Sequence, residues 1–277
     1  MILGITKSIL VLDAETGSPT QLGPKGRGSA NYWADPLTKT FMFGWKWYKS
    51  DQPAGVADFE APEAPVQCFP PDVVAAIEAP ASEVMLAAFN CEFDRNALAR
   101  LGYPTPPEKW LDIMVLAYSL GFNGKLDQVL KQIELPASKH PRGSQCITQF
   151  SKKFEPWWTN PQLWQDFRDY CADDARIEEM LLQWLLFRLD SPLLLEQTQN
   201  ILRQDLIYRR INARGVPVDA RAVAGAQKIM TQEKAQVLES MKQLTGLANP
   251  NGRDQLLDWI RAQGSQMLNL QKDVVQD

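Results

Sequence analysis

The chain has 277 residues, of which 45% are apolar and 22% charged, and it carries a net charge of −4. These values are typical of a soluble globular protein with one large or two smaller domains. They exclude the basic composition normal for a sequence-independent duplex-binding protein. No apolar run approaches a membrane span and the N-terminus does not resemble a signal peptide, so we expect a cytoplasmic protein with no membrane partner.

The first 190 residues alternate strand-like and helix-like segments, which predicts an α/β layer fold with a mixed sheet flanked by helices. Strands are predicted at residues 9–12, 40–48, 56–59 and 85–89. Helices are predicted at residues 70–78, 94–101, 111–120 and 125–133. Residues 137–158 are polar, and we expect them to be irregular.

The longest helical signal begins at Asn160, a good N-cap, and Pro161, a good first helical residue, and it extends to Leu185. After Ser191 and Pro192 no strand pattern occurs. Helices are predicted there at residues 193–213, 220–244 and 253–262. We therefore place a domain boundary near residue 190, with an α/β domain at 1–190 and an all-helical extension at 191–277.

Four cysteines are scattered along the chain without a CxxC pair, namely Cys68, Cys91, Cys146 and Cys171. Their spacing argues against a zinc ribbon and does not indicate a disulfide framework. Free and mostly buried thiols are expected.

Two carboxylates follow the first predicted strand. Side chains alternate along a strand, so Asp13 and Glu15 lie on one face. They repel each other in water and become favourable when a divalent cation such as Mg²⁺ binds between them, which suggests phosphate chemistry. The alternative is a solvated turn, because Gly17, Ser18 and Pro19 follow directly.

A third carboxylate, Asp94, follows the predicted strand at residues 85–89, near the start of a helix. Ligands gather at the carboxyl ends of strands in open α/β sheets, which makes Asp94 a candidate site residue. The alternative is a simple N-cap for the helix at residues 95–101.

The long helix adds a fourth carboxylate. Tyr170 and Asp174 are four residues apart and therefore lie on one helical face. A phenol beside a metal-bound carboxylate can hold a water molecule. Asp173 competes with Asp174 for this role, and the alternative for the whole helix is a solvated acidic face formed by Asp166, Asp169, Asp173, Glu178 and Glu179.

The segments Asp13–Thr16 (DAET), Asn90–Asp94 (NCEFD) and Tyr170–Asp174 (YCADD) resemble the three motifs of the DEDD superfamily of 3′–5′ exonucleases. The Tyr-x-x-x-Asp form resembles the tyrosine subgroup of that superfamily. The segments at residues 109–139, 211–219 and 247–251 are similar to parts of phage-type family A DNA polymerases, up to the base of the thumb.

The resemblance implies a ribonuclease H-like fold and a proofreading exonuclease that releases nucleoside 5′-monophosphates from the 3′ end of single-stranded DNA, in a bacterial or phage-infected cell. By the same resemblance Asp13 bridges two divalent ions, Mg²⁺ or Mn²⁺. Glu15 and Asp174 complete the ligands of the first ion, and Asp94 holds the second. Tyr170 and Glu15 orient the attacking water. The resemblance also suggests substrate contacts for Thr16, Asn90 and Phe93, although Phe93 could equally belong to the core.

Two alternatives stay open. One is a ribonuclease D-like RNA exonuclease. Another is a replisome module whose helical extension docks on a separate polymerase chain, exposing apolar surface there. The sequence up to Asp277 shows no polymerase carboxylates, so we expect no polymerase active site in this chain. The expectation is either a shortened polymerase or an exonuclease encoded as a separate polypeptide.

Basic residues are concentrated between residues 125 and 153, at Lys125, Lys131, Lys139, Arg142, Lys152 and Lys153. They could follow a phosphate backbone or form a solvated face, and the sequence favours neither.

Overall fold

The computed structural model describes residues 8–20, 22, 28–62, 68–137 and 140–271. Its five strands form one sheet in the order β3-β2-β1-β4-β5. The strands are β1 (Ser8–Gly17), β2 (Lys39–Trp47), β3 (Gly55–Asp58), β4 (Val84–Ala88) and β5 (Trp110–Asp112). β2 runs antiparallel to β1 and β3, whereas β1, β4 and β5 pair in parallel. The expected mixed sheet is confirmed.

Helices flank this sheet and make up the C-terminal part of the chain. They are α1 (Gly28–Ala34), α2 (Pro71–Glu78), α3 (Cys91–Arg100), α4 (Ile113–Ser119), α5 (Leu126–Gln132), α6 (Gly143–Cys146), α7 (Pro161–Arg188), α8 (Pro192–Arg214), α9 (Ala220–Thr245) and α10 (Arg253–Ala262). Among the described residues, no helix has both the length and the apolarity required to cross a bilayer.

The two faces of β1 pack against different helices, because side chains alternate along a strand. Leu10, Leu12 and Ala14 are buried in a core with residues of α2 and α3. Ile9 and Val11 are buried on the other face with residues of α4, α5 and α7. Asp13 and Glu15 lie on the same face of β1 as Ile9 and Val11.

Three local predictions need correction. The predicted helix at residues 111–120 begins as strand β5, because Trp110–Asp112 pairs with the edge of β4 and Asp112 then accepts hydrogen bonds at the start of α4. Helix α1 interrupts a stretch for which no element was predicted. Residues 137–158, expected to be irregular, contain α6 and a π-helical turn at Ile147–Lys152, both of which bury apolar side chains.

Helix α7 matches its prediction and is fixed at several points. The Asn160 side chain accepts a hydrogen bond from the Leu163 amide, as an N-cap does. The buried Asp58 at the end of β3 accepts hydrogen bonds from the Trp164 indole at 2.6 Å and the Arg168 guanidinium at 2.7 Å. One turn of α7 is thus attached to the edge strand.

The chain divides into two compact units, residues 1–213 and 214–277. In the first unit, Arg209 of α8 donates hydrogen bonds to Asp112 and Asp205, each at 2.5 Å. The second unit consists of α9, which is N-capped by Asp219, and α10. The predicted boundary near residue 190 lies between α7 and α8, inside the first unit, and the proposed two-domain division stays a prediction.

All four cysteines are free, as expected. Cys91, Cys146 and Cys171 are buried, whereas Cys68 is exposed.

Candidate active site

Helix α7 approaches the sheet closely beside Asp13. Gly44 of β2 pairs with Asp13 across the ladder. A Cβ atom at Gly44 would lie 2.3 Å from the Cys171 carbonyl oxygen of α7, so only glycine admits the helix at this distance. The Cys171 thiol also lies 3.6 Å from the Asp13 carbonyl oxygen. Because Tyr170 and Asp174 flank Cys171 on α7, this contact brings both to the end of β1.

Three carboxylates meet at this point. One oxygen each from Asp13, Glu15 and Asp174 lies within 4.8 Å of the other two. Two ligands of a single Mg²⁺, each at about 2.1 Å, lie at most about 4.2 Å apart, so small side-chain rotations would complete such a set. Carboxylate oxygens are also the donors that hard divalent cations prefer. The residues present therefore fit a divalent metal ion.

Asp94 lies next to this group and is 4% exposed. Its Oδ1 accepts a hydrogen bond from the Ala14 amide at 2.9 Å, which ties the first turn of α3 to β1. Burial raises the pKa of Asp94 well above its ordinary value, and the charge of Asp13 raises it further. The N-cap alternative is wrong, because α3 begins at Cys91 and the Asp94 side chain bonds across to another element.

The structure separates the two candidate aspartates of α7. Asp173 is half-exposed and its Oδ1 lies 3.2 Å from the guanidinium Nε of Arg176 on the same helix. Asp174 is buried and faces Asp13 and Glu15. Tyr170 lies one turn before Asp174, and burial, followed by the charges of Glu15 and Asp174, raises the pKa of its phenol. Tyr170 is therefore a protonated hydrogen-bond donor at neutral pH.

A fifth carboxylate lies beside the group, at Glu178. Its side chain is 3% exposed, and its Oε2 accepts a hydrogen bond from the Phe89 amide at 3.0 Å. Burial and the charges of Asp13 and Asp94 raise its pKa. The alternative of a solvated acidic face is wrong for Glu178 and also for Glu179, which is 2% exposed. The spacing 170–174–178, a step of four residues from each member to the next, was the sequence signal that places Glu178 on this face.

The three residues expected to contact substrate lie along two clefts. Thr16 and Phe93 line a cleft of about 410 Å³ together with Glu15. The Thr16 hydroxyl lies 2.6 Å from the Tyr32 hydroxyl at its wall. Phe93 and Asn90 line a second cleft of about 750 Å³. Phe93 is half-buried and packs against Tyr32 and Trp33, so it belongs to a cleft wall and not to the closed core.

A third cleft of about 720 Å³ lies on the Tyr170 side. Ile147 of the π-helical turn lines both this cleft and the 410 Å³ cleft. Lys131 lines the third cleft and Lys152 lines the 410 Å³ cleft, and both lysines are exposed. Of the remaining basic residues, Arg142 forms an ion pair with Asp166, and Lys139 lies outside the described residues.

No family model matches the chain. It is similar to a DNA polymerase of Bacillus phage SP02, at 29% identity over 280 residues, an alignment that covers 97% of this chain and 41% of that polymerase. The chain thus spans about two fifths of the length of this relative.

Solved structures show more distant similarity. The RNase D of Trypanosoma brucei in complex with the RNA U12 is 20% identical, with a TM-score of 0.48 over 76% of this chain and 65% of that chain. NrnC of Brucella melitensis is 14% identical, with a TM-score of 0.40 over 73% of this chain and 87% of that chain.

Proposed function

We propose that this chain is a metal-dependent 3′–5′ exonuclease that removes nucleotides from single-stranded DNA and serves proofreading in DNA replication. The convergence of Asp13, Glu15 and Asp174 from two separated elements carries this proposal. The similarity of nearly the whole chain to a phage DNA polymerase supports DNA as the substrate. The 3′ polarity and the tyrosine subgroup follow from the resemblance of the three motifs.

Asp13, Glu15 and Asp174 would hold one divalent ion, Mg²⁺ or Mn²⁺, and Asp94 would hold a second together with Asp13. Bound there, such ions lower the pKa of a water molecule and neutralise charge on a phosphate. Burial, followed by the charge of Asp13, raises the pKa of Asp94. A cation between the two carboxylates would relieve this repulsion, which supports the role of Asp94.

The protein side chains would position the reactants. Tyr170 and Glu15 would orient the attacking water, with the phenol donating a hydrogen bond and the carboxylate accepting one. The water oxygen forms a bond to the terminal phosphorus, and the bond from that phosphorus to the 3′ oxygen of the preceding nucleotide breaks. The leaving 3′ oxygen takes up a proton, and a nucleoside 5′-monophosphate is released.

The two clefts that Ile147 lines would hold the strand. The 410 Å³ cleft includes Glu15, so it would take the terminal nucleotide, with Thr16 and Phe93 at its wall and Asn90 beyond. The ring of Phe93 offers a face on which a base can stack. Lys131 and Lys152 supply positive charge for backbone phosphates on the two sides.

The test is a digestion of single-stranded DNA labelled at the 5′ end or at the 3′ end, in Mg²⁺ or Mn²⁺ and in EDTA. We expect the 5′-labelled strand to shorten one nucleotide at a time, with EDTA abolishing the reaction. Asp13→Ala and Asp174→Ala should each lower the rate at least about 10³-fold, since each removes a metal ligand.

Asp173→Ala is the matched control for Asp174→Ala, because it removes the neighbouring carboxylate, and it should retain activity. A matched RNA strand tests the ribonuclease D-like alternative. Undiminished activity in both ligand variants, or faster digestion of RNA than of DNA, contradicts the proposal.

A further inference from the structure

We propose that Glu178 is a positioning residue that attaches the turn between β4 and α3 to α7 and so holds Asp94 beside Asp13 and Asp174. This inference rests on the proposed function, which gives the placement of these carboxylates its purpose. Glu178 itself is assigned no contact with substrate.

The first observation is the cost of placing a carboxylate at this position. Glu178 is 3% exposed and lies one helical turn after Asp174. Burial of a carboxylate is unfavourable unless hydrogen bonds compensate for the lost water. Here the Phe89 amide donates a hydrogen bond to Oε2 of Glu178, at 3.0 Å. Breaking a hydrogen bond to a buried group carries the cost of that group's lost hydration, so this bond ties the turn after β4 to α7.

The second observation is the shape of the turn that Glu178 holds. Asn90 has φ 69° and ψ 52°, in the left-handed region. A residue other than glycine stays in such a conformation only where its surroundings determine it. Three successive amides of this turn are bound by carboxylates. The Phe89 amide donates to Glu178, and those of Asn90 and Cys91 donate to Asp112, each at 3.1 Å.

The third observation links the turn to the site. Asp94 is three residues after Cys91 in the first turn of α3, and its Oδ1 bonds to the Ala14 amide beside Asp13. A shift of the turn therefore moves Asp94 relative to β1. Asp112 holds the turn from the side of β5, whereas Glu178 holds it from α7, the helix that carries Asp174. Glu178 thus fixes the position of Asp94 relative to Asp174.

Two variants separate the hydrogen bond from the charge. Glu178→Gln keeps an acceptor oxygen at the same reach and removes the charge. Glu178→Asp keeps the charge and shortens the side chain by one methylene, so it no longer reaches Phe89. We expect Glu178→Gln to resemble the wild type. Glu178→Asp should bind Mn²⁺ about 10- to 100-fold more weakly, the usual effect of losing a residue that orients metal ligands.

The readouts are Mn²⁺ titration of the full chain by calorimetry and hydrogen exchange of the Phe89 amide without metal. The Phe89 amide should lose protection in Glu178→Asp and keep it in Glu178→Gln. Glu179→Asp is the matched control, because Glu179 is equally buried but accepts from the Lys49 amide, away from the site. This control should leave Mn²⁺ affinity unchanged.

The inference is overturned if Glu178→Asp keeps wild-type Mn²⁺ affinity, if Glu178→Gln loses as much affinity as Glu178→Asp, or if the Glu179 control loses as much. It is also overturned if the wild-type chain binds no Mn²⁺. A wild-type chain that binds Mn²⁺ but cleaves no nucleic acid contradicts the proposed function instead. In that case the Mn²⁺ titrations of Glu178→Asp and Glu178→Gln still decide the role of Glu178.

Discussion

At the scale of single residues, the main feature of the site is negative charge held out of water. Asp13, Glu15 and Asp174 meet at one point, and Asp94 and Glu178 lie close enough for their pKa values to be raised by Asp13. Without cations this arrangement opposes folding, because buried like charges repel. Functional sites commonly accept such a cost in stability.

Because the packed carboxylates destabilise the metal-free protein, we expect Asp94→Asn to be more stable than the wild type in EDTA. The amide keeps an acceptor for the Ala14 amide and removes the charge. We expect the free energy of unfolding at pH 7 to rise by about 0.5–2 kcal/mol, the usual size of a stabilising substitution. Nuclease activity should be lost. Chemical denaturation of the metal-free wild type and variant measures the difference.

The same residue gives a pH dependence of known sign. A carboxyl group whose pKa is raised by folding stabilises the folded state at low pH, and this stability is lost as pH rises through the folded-state pKa. The metal-free wild type should therefore lose stability as pH rises from about 4, the ordinary value for Asp. The loss should be smaller in Asp94→Asn. An equal loss in both proteins would count against the assigned environment of Asp94.

At the scale of elements, α7 organises the site. It is attached to β3 through Asp58, lies against Gly44 of β2 and presents Tyr170, Asp174 and Glu178 on one face. Helix α6 in turn packs on α7, because Gly143 allows its backbone to lie against the ring of Tyr170.

This packing predicts the effect of Gly143→Ala. The added Cβ would lie 2.5 Å from Cε2 of Tyr170, so the ring must move. The backbone of Gly143 lies outside the left-handed region, so alanine adds no strain of its own. We expect a lower kcat and a stability loss of about 1–3 kcal/mol, typical of overpacking.

A double-mutant cycle provides the control for this prediction. In a Tyr170→Ala background, Gly143→Ala should have little further effect on kcat, because the ring that it displaces is absent. Additive losses of kcat in the double variant would show that Gly143 acts elsewhere.

Much of this arrangement could be predicted from the sequence, because it depends on short-range periodicity. The alternation along β1 places Asp13 and Glu15 on one face, and the helical spacing pairs Tyr170 with Asp174. Strand β5 was missed because three residues cannot show a period, and its identity depends on pairing with β4. The burial of Glu178 was missed because charge favours an exposed face unless tertiary bonds compensate.

At the scale of the whole molecule, the candidate site lies entirely within the first unit, residues 1–213. Helix α8 contributes to that unit through Arg209, which bonds Asp112 and so supports the turn that leads to Asp94. Docking of the helical extension, residues 191–277, on a separate polymerase chain stays an alternative predicted from the sequence.

The central claim is that Asp13, Glu15 and Asp174 together bind a divalent cation. Anomalous diffraction from crystals of the full chain grown with Mn²⁺ tests it most directly. The account predicts an anomalous peak among these three carboxylates, which disappears in Asp174→Ala and persists in Asp173→Ala. Mn²⁺ peaks found only elsewhere, or a peak that survives in Asp174→Ala, would contradict it.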